Sequence, residues 1–171
     1  MDATSLRAAQ APLKQSYKQD PTAAQVTLTS TSTLDAGLSC SLGVGQAIRK
    51  AGLHKMAGGV DPSQLCSGDM LLESLVACTG VTLRAVATAM SIPLSSGTVT
   101  AEGDLDFRGT LGVDKTVPVG FTAIRLKFDL DCGGEEVTPK DKVEKLIEMT
   151  ERYCVVLQTL KNGVPRESSL V

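Results

Sequence analysis

SGDMLLESLVACTGVTLRAVATAM, residues 67–90, is the stretch on which the fold turns. Ser67 suits an N-cap because its hydroxyl can accept a hydrogen bond from an orphan backbone N–H, and Asp69 puts negative charge at the positive end of the helix dipole. Leu71, Leu75, Cys78, Thr82 and Ala85 or Val86 recur at steps of three and four, which predicts a helix with one buried stripe, ended by Ile92-Pro93. A second helix is predicted around KVEKLIEMTERYCVVLQTL, residues 142–160, with Thr138 as N-cap, Pro139 at the first helical position and Asp141 completing a capping-box-like pattern. Val143, Leu146, Ile147, Thr150, Cys154, Leu157 and Leu160 or Lys161 form its stripe, and Asn162-Gly163 with Pro165 stop it. Each helix therefore carries a cysteine, Cys78 or Cys154, on its inward face, 76 positions apart.

Strand patterns fill the rest. QVTLTSTST, residues 25–33, is rich in β-branched side chains, and LSCSLGV follows the turn-like Leu34-Asp35-Ala36-Gly37, so a β-hairpin is expected. Gly45, Gly52, Gly58, Gly59 and Pro62 make residues 45–66 read as a long connection. Beyond Gly97, Val99, Ala101, Gly103, Leu105 and Phe107 alternate with Thr98, Thr100, Glu102, Asp104 and Asp106. A further strand sets Ile124, Leu126, Phe128, Leu130 and Cys132 on one face and Ala123, Arg125, Lys127, Asp129 and Asp131 on the other. Residues 1–24, interrupted by Pro12 and Pro21, form an N-terminal arm with no assigned element. Strands, helix, strands, helix, with no repeated βαβ unit, give an α+β fold, an antiparallel sheet on helices, in a single domain over residues 1–171.

Composition excludes several function classes. The 17 basic residues are balanced by 19 acidic ones, and with three Phe and two Tyr there is neither a basic patch nor a stacking platform for nucleic acid. MDATSLRAAQAPLKQ lacks the pattern of a secretory signal, and no apolar stretch reads as long enough to cross a bilayer; a soluble, cytoplasmic protein with no membrane partner is expected. Five cysteines without tight spacing argue against a secreted disulfide framework. His54, Cys66 and Cys78 lack zinc-site spacing, so no metal is expected and His54 reads as a loop residue. Gly43-Val44-Gly45 opens like a dinucleotide fingerprint, but the third glycine and the βαβ unit are missing, and no cofactor is expected. Glu102, Asp104 and Asp106 share a strand face that Arg125 and Lys127 balance, the pattern of a solvated surface.

The cysteine pair leaves two readings open. A thiolate attacks the O–O bond of a peroxide and becomes a sulfenic acid, and a second thiol within disulfide reach condenses with it. Alternatively both are core residues, as buried free cysteines commonly are, and that reading is given to Cys40, Cys66 and Cys132. For catalysis Cys78 needs a lowered pKa, yet it sits ~15 Å from the N-terminus of its own helix, beyond useful reach of that dipole. Arg84 points about 240° round the helix from Cys78, so the field must come from elsewhere, with Arg7 or Arg49 as candidates.

Residues 67–87, SGDMLLESLVACTGVTLRAVA, and ERYCVVLQTL, residues 151–160, resemble the two cysteine helices of the OsmC/Ohr family, the osmotically inducible and organic-hydroperoxide-resistance proteins, and GDLDFRG, residues 103–109, resembles its intervening strand. The resemblance covers roughly residues 58–165. It implies an intertwined homodimer in which sheets wrap two long central helices, with Cys78 as peroxidatic and Cys154 as resolving cysteine. It also implies an organic hydroperoxide as substrate and a small dithiol or a dithiol protein as reductant. The family's peroxidases carry a glutamate ten residues before the first cysteine to orient a catalytic arginine; here that position is Gly68, with Asp69 beside it. Cys154-Val155 stands where the family often has Cys-Pro. The alternative implied is a non-catalytic, dimeric, stress-associated binding protein of the same fold.

Overall fold

The structure is a computed structural model describing residues 2–5, 8, 11, 15, 19, 32–34, 39–44, 47–54, 57, 61, 63–112 and 114–170, with side chains left out for strand residues 32–34 and 39–49. The described elements are β1 (Ser32–Leu34), β2 (Ser39–Val44), β3 (Ala47–Gly52), β4 (Leu65–Cys66), α1 (Ser67–Ala89), β5 (Ser96–Leu105), α2 (Phe107–Thr110), β6 (Phe121–Asp131), α3 (Lys140–Tyr153) and α4 (Val155–Asn162). The chain divides into two compact units, Met1–Gln19 with Ser74–Thr100 and Lys127–Val171, and Asp20–Glu73 with Ala101–Leu126.

The second unit holds a four-stranded sheet in the order β1-β2-β3-β4. The expected hairpin is present as β1 paired antiparallel with β2, Thr33 opposite Ser41; residues 25–31 lie outside the described residues. The long connection assigned to residues 45–66 is corrected: it contains β3, antiparallel to β2, and β4, parallel to β3. Ala47–Gly52 was concealed by glycines that read as punctuation, and β4 is too short to carry a period. Phe107, expected at the end of a strand, starts the short helix α2, because Asp106 accepts the Arg108 backbone N–H at 3.0 Å and caps it.

The first unit packs Leu83, Ala87, Ile92, Cys132 and Leu146 into one core, flanked by Val86, Val99, Phe128, Leu130 and Val143. Fully burying one such aliphatic side chain stabilises by about 1.5–3 kcal/mol. The β6 face containing Phe128 and Leu130 was legible from its alternation, and Cys132 is buried as core. β5 pairs with β6, and the pair runs antiparallel: the Ser95 N–H donates to the Asp131 carbonyl at 3.0 Å and the Thr122 hydroxyl donates to the Asp104 carbonyl at 3.2 Å.

Three helix expectations need correction. The buried line of α1 is Leu75, Thr79, Leu83 and Ala87, one residue round from the expected stripe, so Cys78 is half-buried at its edge. Thr138 is not a cap, since its hydroxyl donates to the Cys132 carbonyl at 2.8 Å and Pro139 takes the cap position. The second cysteine helix is two helices, separated at Cys154 with φ −72° and ψ 107°. In addition, α1 has a mean hydropathy of 1.5 over 18 residues and is long and apolar enough to cross a membrane by length and composition, contrary to the sequence expectation; its buried line nevertheless faces a packed core.

α1 ends three residues before the expected Ile92-Pro93 stop. Ser91 adopts φ 56°, its N–H donates to the Thr88 carbonyl at 3.1 Å, and the Ile92 N–H donates to the Ala87 carbonyl at 2.9 Å. This is a Schellman closure with serine where glycine avoids the Cβ penalty. Ser91→Gly is therefore expected to stabilise the protein by about 0.5–1 kcal/mol, read as a higher urea midpoint at unchanged slope. A lower midpoint would contradict it.

Candidate functional site

α1 and the α3–α4 break bring Cys78 and Cys154 together. The Cys154 thiol is fully buried, 3.4 Å from the Thr79 hydroxyl, and is a hydrogen-bond partner of the Cys78 thiol. Two thiols 76 positions apart in sequence thus come close enough for Cys154 to favour the Cys78 thiolate. Of the other cysteines, Cys66 is half-buried, Cys132 is buried, and Cys40 lies in β2 opposite Ala51.

The break is what equips the pair. In an uninterrupted helix the Val155 and Val156 N–H groups would bond to carbonyls four residues back. Here both lie where they favour the ionised Cys78 sulfur. The Glu151 carbonyl, which would otherwise accept from Val155, instead accepts from the Gln158 side-chain Nε2 at 2.9 Å. Cys154 closes the last turn of α3 through its N–H to the Thr150 carbonyl and opens α4 by accepting the Gln158 backbone N–H, both at 2.9 Å. The orphan donors of a new helix N-terminus therefore meet a sulfur that carries negative charge when ionised.

Burial pushes the Cys78 thiol up. Hydrogen bonds from the Val156 N–H, the Cys154 thiol, the Val155 N–H and the Thr82 hydroxyl outweigh it and leave Cys78 below the ordinary thiol range. Cys132 moves the other way, raised by burial and by the Asp131 carboxylate. Among the described groups that act on Cys78 none is an arginine, and the side chains of the candidates Arg7 and Arg49 lie outside the described residues. The Arg84 guanidinium donates to the Leu94 carbonyl at 2.6 Å, and Arg49 lies in β3 opposite Leu42. Sequence reasoning missed the backbone donors because main-chain N–H groups have no letter of their own; the adjacent β-branched Val155-Val156, poor in a helix interior, was the available hint.

The remaining candidates keep bland roles. Arg125 pairs with Asp104 at 2.5 and 2.8 Å and with Glu102 at 3.4 Å on an exposed strand face, holding the Asp104 carboxyl below its usual range. His54 lies outside regular structure and stacks on Phe107, ring centroids 5.0 Å apart. Among the described residues no cluster of three or more His, Cys, Asp or Glu could hold a metal.

Comparisons with known proteins follow the same outline. The family described as OsmC-like protein matches residues 60–169. An OsmC-like protein from Mycoplasma pneumoniae superposes with a TM-score of 0.65 at 16% identity, over 81% of this chain and 90% of its own. An OsmC-like protein of unknown function from Vibrio cholerae gives 0.66 at 11%, over 79% and 94%. An organic hydroperoxide resistance protein from Elizabethkingia anophelis gives 0.61 at 16%, over 81% and 92%. Such identities carry the fold alone. No curated protein sequence matches.

Because its folded pKa is depressed, the Cys78 thiolate stabilises the fold fully above the unfolded thiol pKa, and that contribution is lost as pH falls through the folded value. Iodoacetamide alkylation of Cys78 should rise at lower pH than alkylation of Cys132. Val155→Pro deletes one donor while keeping a residue suited to the first helical position, and should raise the Cys78 midpoint. A midpoint unmoved in a variant with native circular dichroism would contradict the N–H assignment.

Proposed function

Since the chain belongs to the OsmC-like family, we propose that it is a thiol-dependent hydroperoxide reductase acting in oxidative-stress defence in the cytoplasm. The observation carrying this reading is that the Cys154 thiol and the Val155 and Val156 N–H groups act together on Cys78 to favour its thiolate. The name of the Elizabethkingia neighbour points the same way.

The Cys78 thiolate attacks the terminal oxygen of an organic hydroperoxide; the O–O bond breaks, an S–O bond forms, and the alkoxide leaves with a proton as alcohol. The N–H groups that hold the thiolate before attack keep the sulfur aimed, which is positioning as well as acidification. The Cys154 sulfur then attacks the Cys78 sulfenic acid, forming the disulfide and releasing water. A small dithiol, or a dithiol protein, returns two electrons by exchange and regenerates both thiols.

Gly68 favours a second reading, a non-catalytic dimeric binding protein. It occupies the place of the glutamate found in the family's peroxidases, so the arginine that glutamate would orient lacks its anchor. Both readings include a homodimer. Val81, Val155 and Tyr153 are 73%, 72% and 56% exposed, an apolar display that a second copy would cover.

Intact mass after one equivalent of cumene hydroperoxide separates the two readings. The reductase loses two hydrogens per chain by joining Cys78 to Cys154, and in Cys154→Ser a second equivalent of peroxide takes the Cys78 sulfenic acid on to sulfinic acid. Unchanged mass and free-thiol content under excess peroxide would rule the reductase out. Sedimentation should give a dimer at micromolar concentration, and a folded monomer there would rule out the obligate homodimer.

A further inference from the structure

A second cavity, of about 270 Å³, lies in the unit that holds the four-stranded sheet and is lined by His54, Cys66, Gly68, Asp69, Phe107 and Phe121, with Leu72 and Leu105 completing its apolar wall. The chain has one histidine and three phenylalanines in 171 residues, and the histidine and two of the phenylalanines meet here. Two of these rings lie nearly parallel: the His54 and Phe107 rings are stacked with 18° between them. Glycine makes room for the third ring, Phe121. A Cβ on Gly103 would come within 2.4 Å of the Phe121 ring, whereas one on Gly68 would rest at ordinary contact, 3.5 Å from the Cys66 sulfur and from Phe121.

We propose that this cavity binds a small planar aromatic ligand, held by the His54, Phe107 and Phe121 rings and covering the Cys66 thiol. The volume exceeds the roughly 150 Å³ that accommodates benzene, so a one- or two-ring molecule fits. Flat aromatic walls favour flat guests through offset and edge contacts worth about 0.5–1.5 kcal/mol per ring pair beyond burial. Asp69, in the first turn of α1, places a carboxylate on the lining, which selects a guest bearing an N–H donor and disfavours an anionic one. Gly68, at the position of the family glutamate, is shared with the reductase reading, but neither Cys78 nor Cys154 lines the cavity, so protection of Cys66 is read separately from peroxide reduction.

Cys66 reports occupancy directly. Indole, a neutral bicycle with one N–H, is titrated into the full chain while alkylation of each cysteine by iodoacetamide is followed by peptide mass mapping. Indole at ten times its dissociation constant should slow Cys66 alkylation about tenfold and leave the Cys78 rate unchanged. Cyclohexanol, apolar but not planar, should protect Cys66 far less. Gly68→Leu should fill the cavity and abolish the indole effect; if that variant loses its native circular dichroism, Phe107→Leu serves, weakening indole protection while sparing that by cyclohexanol. No indole protection of Cys66 up to the solubility limit, or equal protection by cyclohexanol, would overturn the proposal.

Discussion

The geometry of the thiol pair depends on one interruption in a helix. At Cys154 the backbone leaves the helical region and re-enters it a residue later, which releases the N–H groups of Val155 and Val156 from the main-chain ladder. An unpaired N–H left in a buried place costs on the order of 1–3 kcal/mol. Several of the groups at the break have partners, which makes it tolerable. Glu151's carbonyl accepts from Gln158, Cys154 is fixed by bonds to both helices, and the freed donors face Cys78. Without the break the sulfur would keep only the Cys154 thiol and the Thr82 hydroxyl against the cost of burial.

The packing around the break holds it in place. Thr79 and Thr150 are fully buried, and each spends its hydroxyl locally, Thr79 against the Cys154 sulfur and Thr150 on the Leu146 carbonyl at 2.7 Å. Leu75 and Leu146, also fully buried, supply apolar burial from within α1 and α3. Polar threonines in an apolar line are therefore spacers of defined hydrogen-bonding chemistry. They set the separation of α1 from the α3–α4 junction where leucine would overfill it.

How far the sequence disclosed this depends on the kind of signal involved. Periodicity found α1, β6 and the inward direction of Cys154, because side-chain patterns over ten or more residues integrate many weak preferences. It missed β3 and β4, where the strands are short and glycines intervene, and it placed the α1 stripe one residue too far round, since Leu75 fits both lines. Cys154 was legible as an inward thiol, whereas Cys78, read as inward, sits at the edge of the buried line, and only family resemblance suggested pairing the two. The source of activation was not legible. Arginines were sought because charge is visible in letters, whereas the donors at Val155 and Val156 exist only once the chain has broken its helix.

The most direct measurement is the pH titration of the Val155 and Val156 amide resonances in 15N-labelled, reduced protein. Both amide protons should move downfield as the Cys78 thiol ionises, with one shared midpoint below the ordinary thiol range, and both should lose that titration in Cys78→Ser. Amide shifts that stay flat through the Cys78 midpoint, or that persist in Cys78→Ser, would contradict the assignment of these groups as the donors that hold the thiolate.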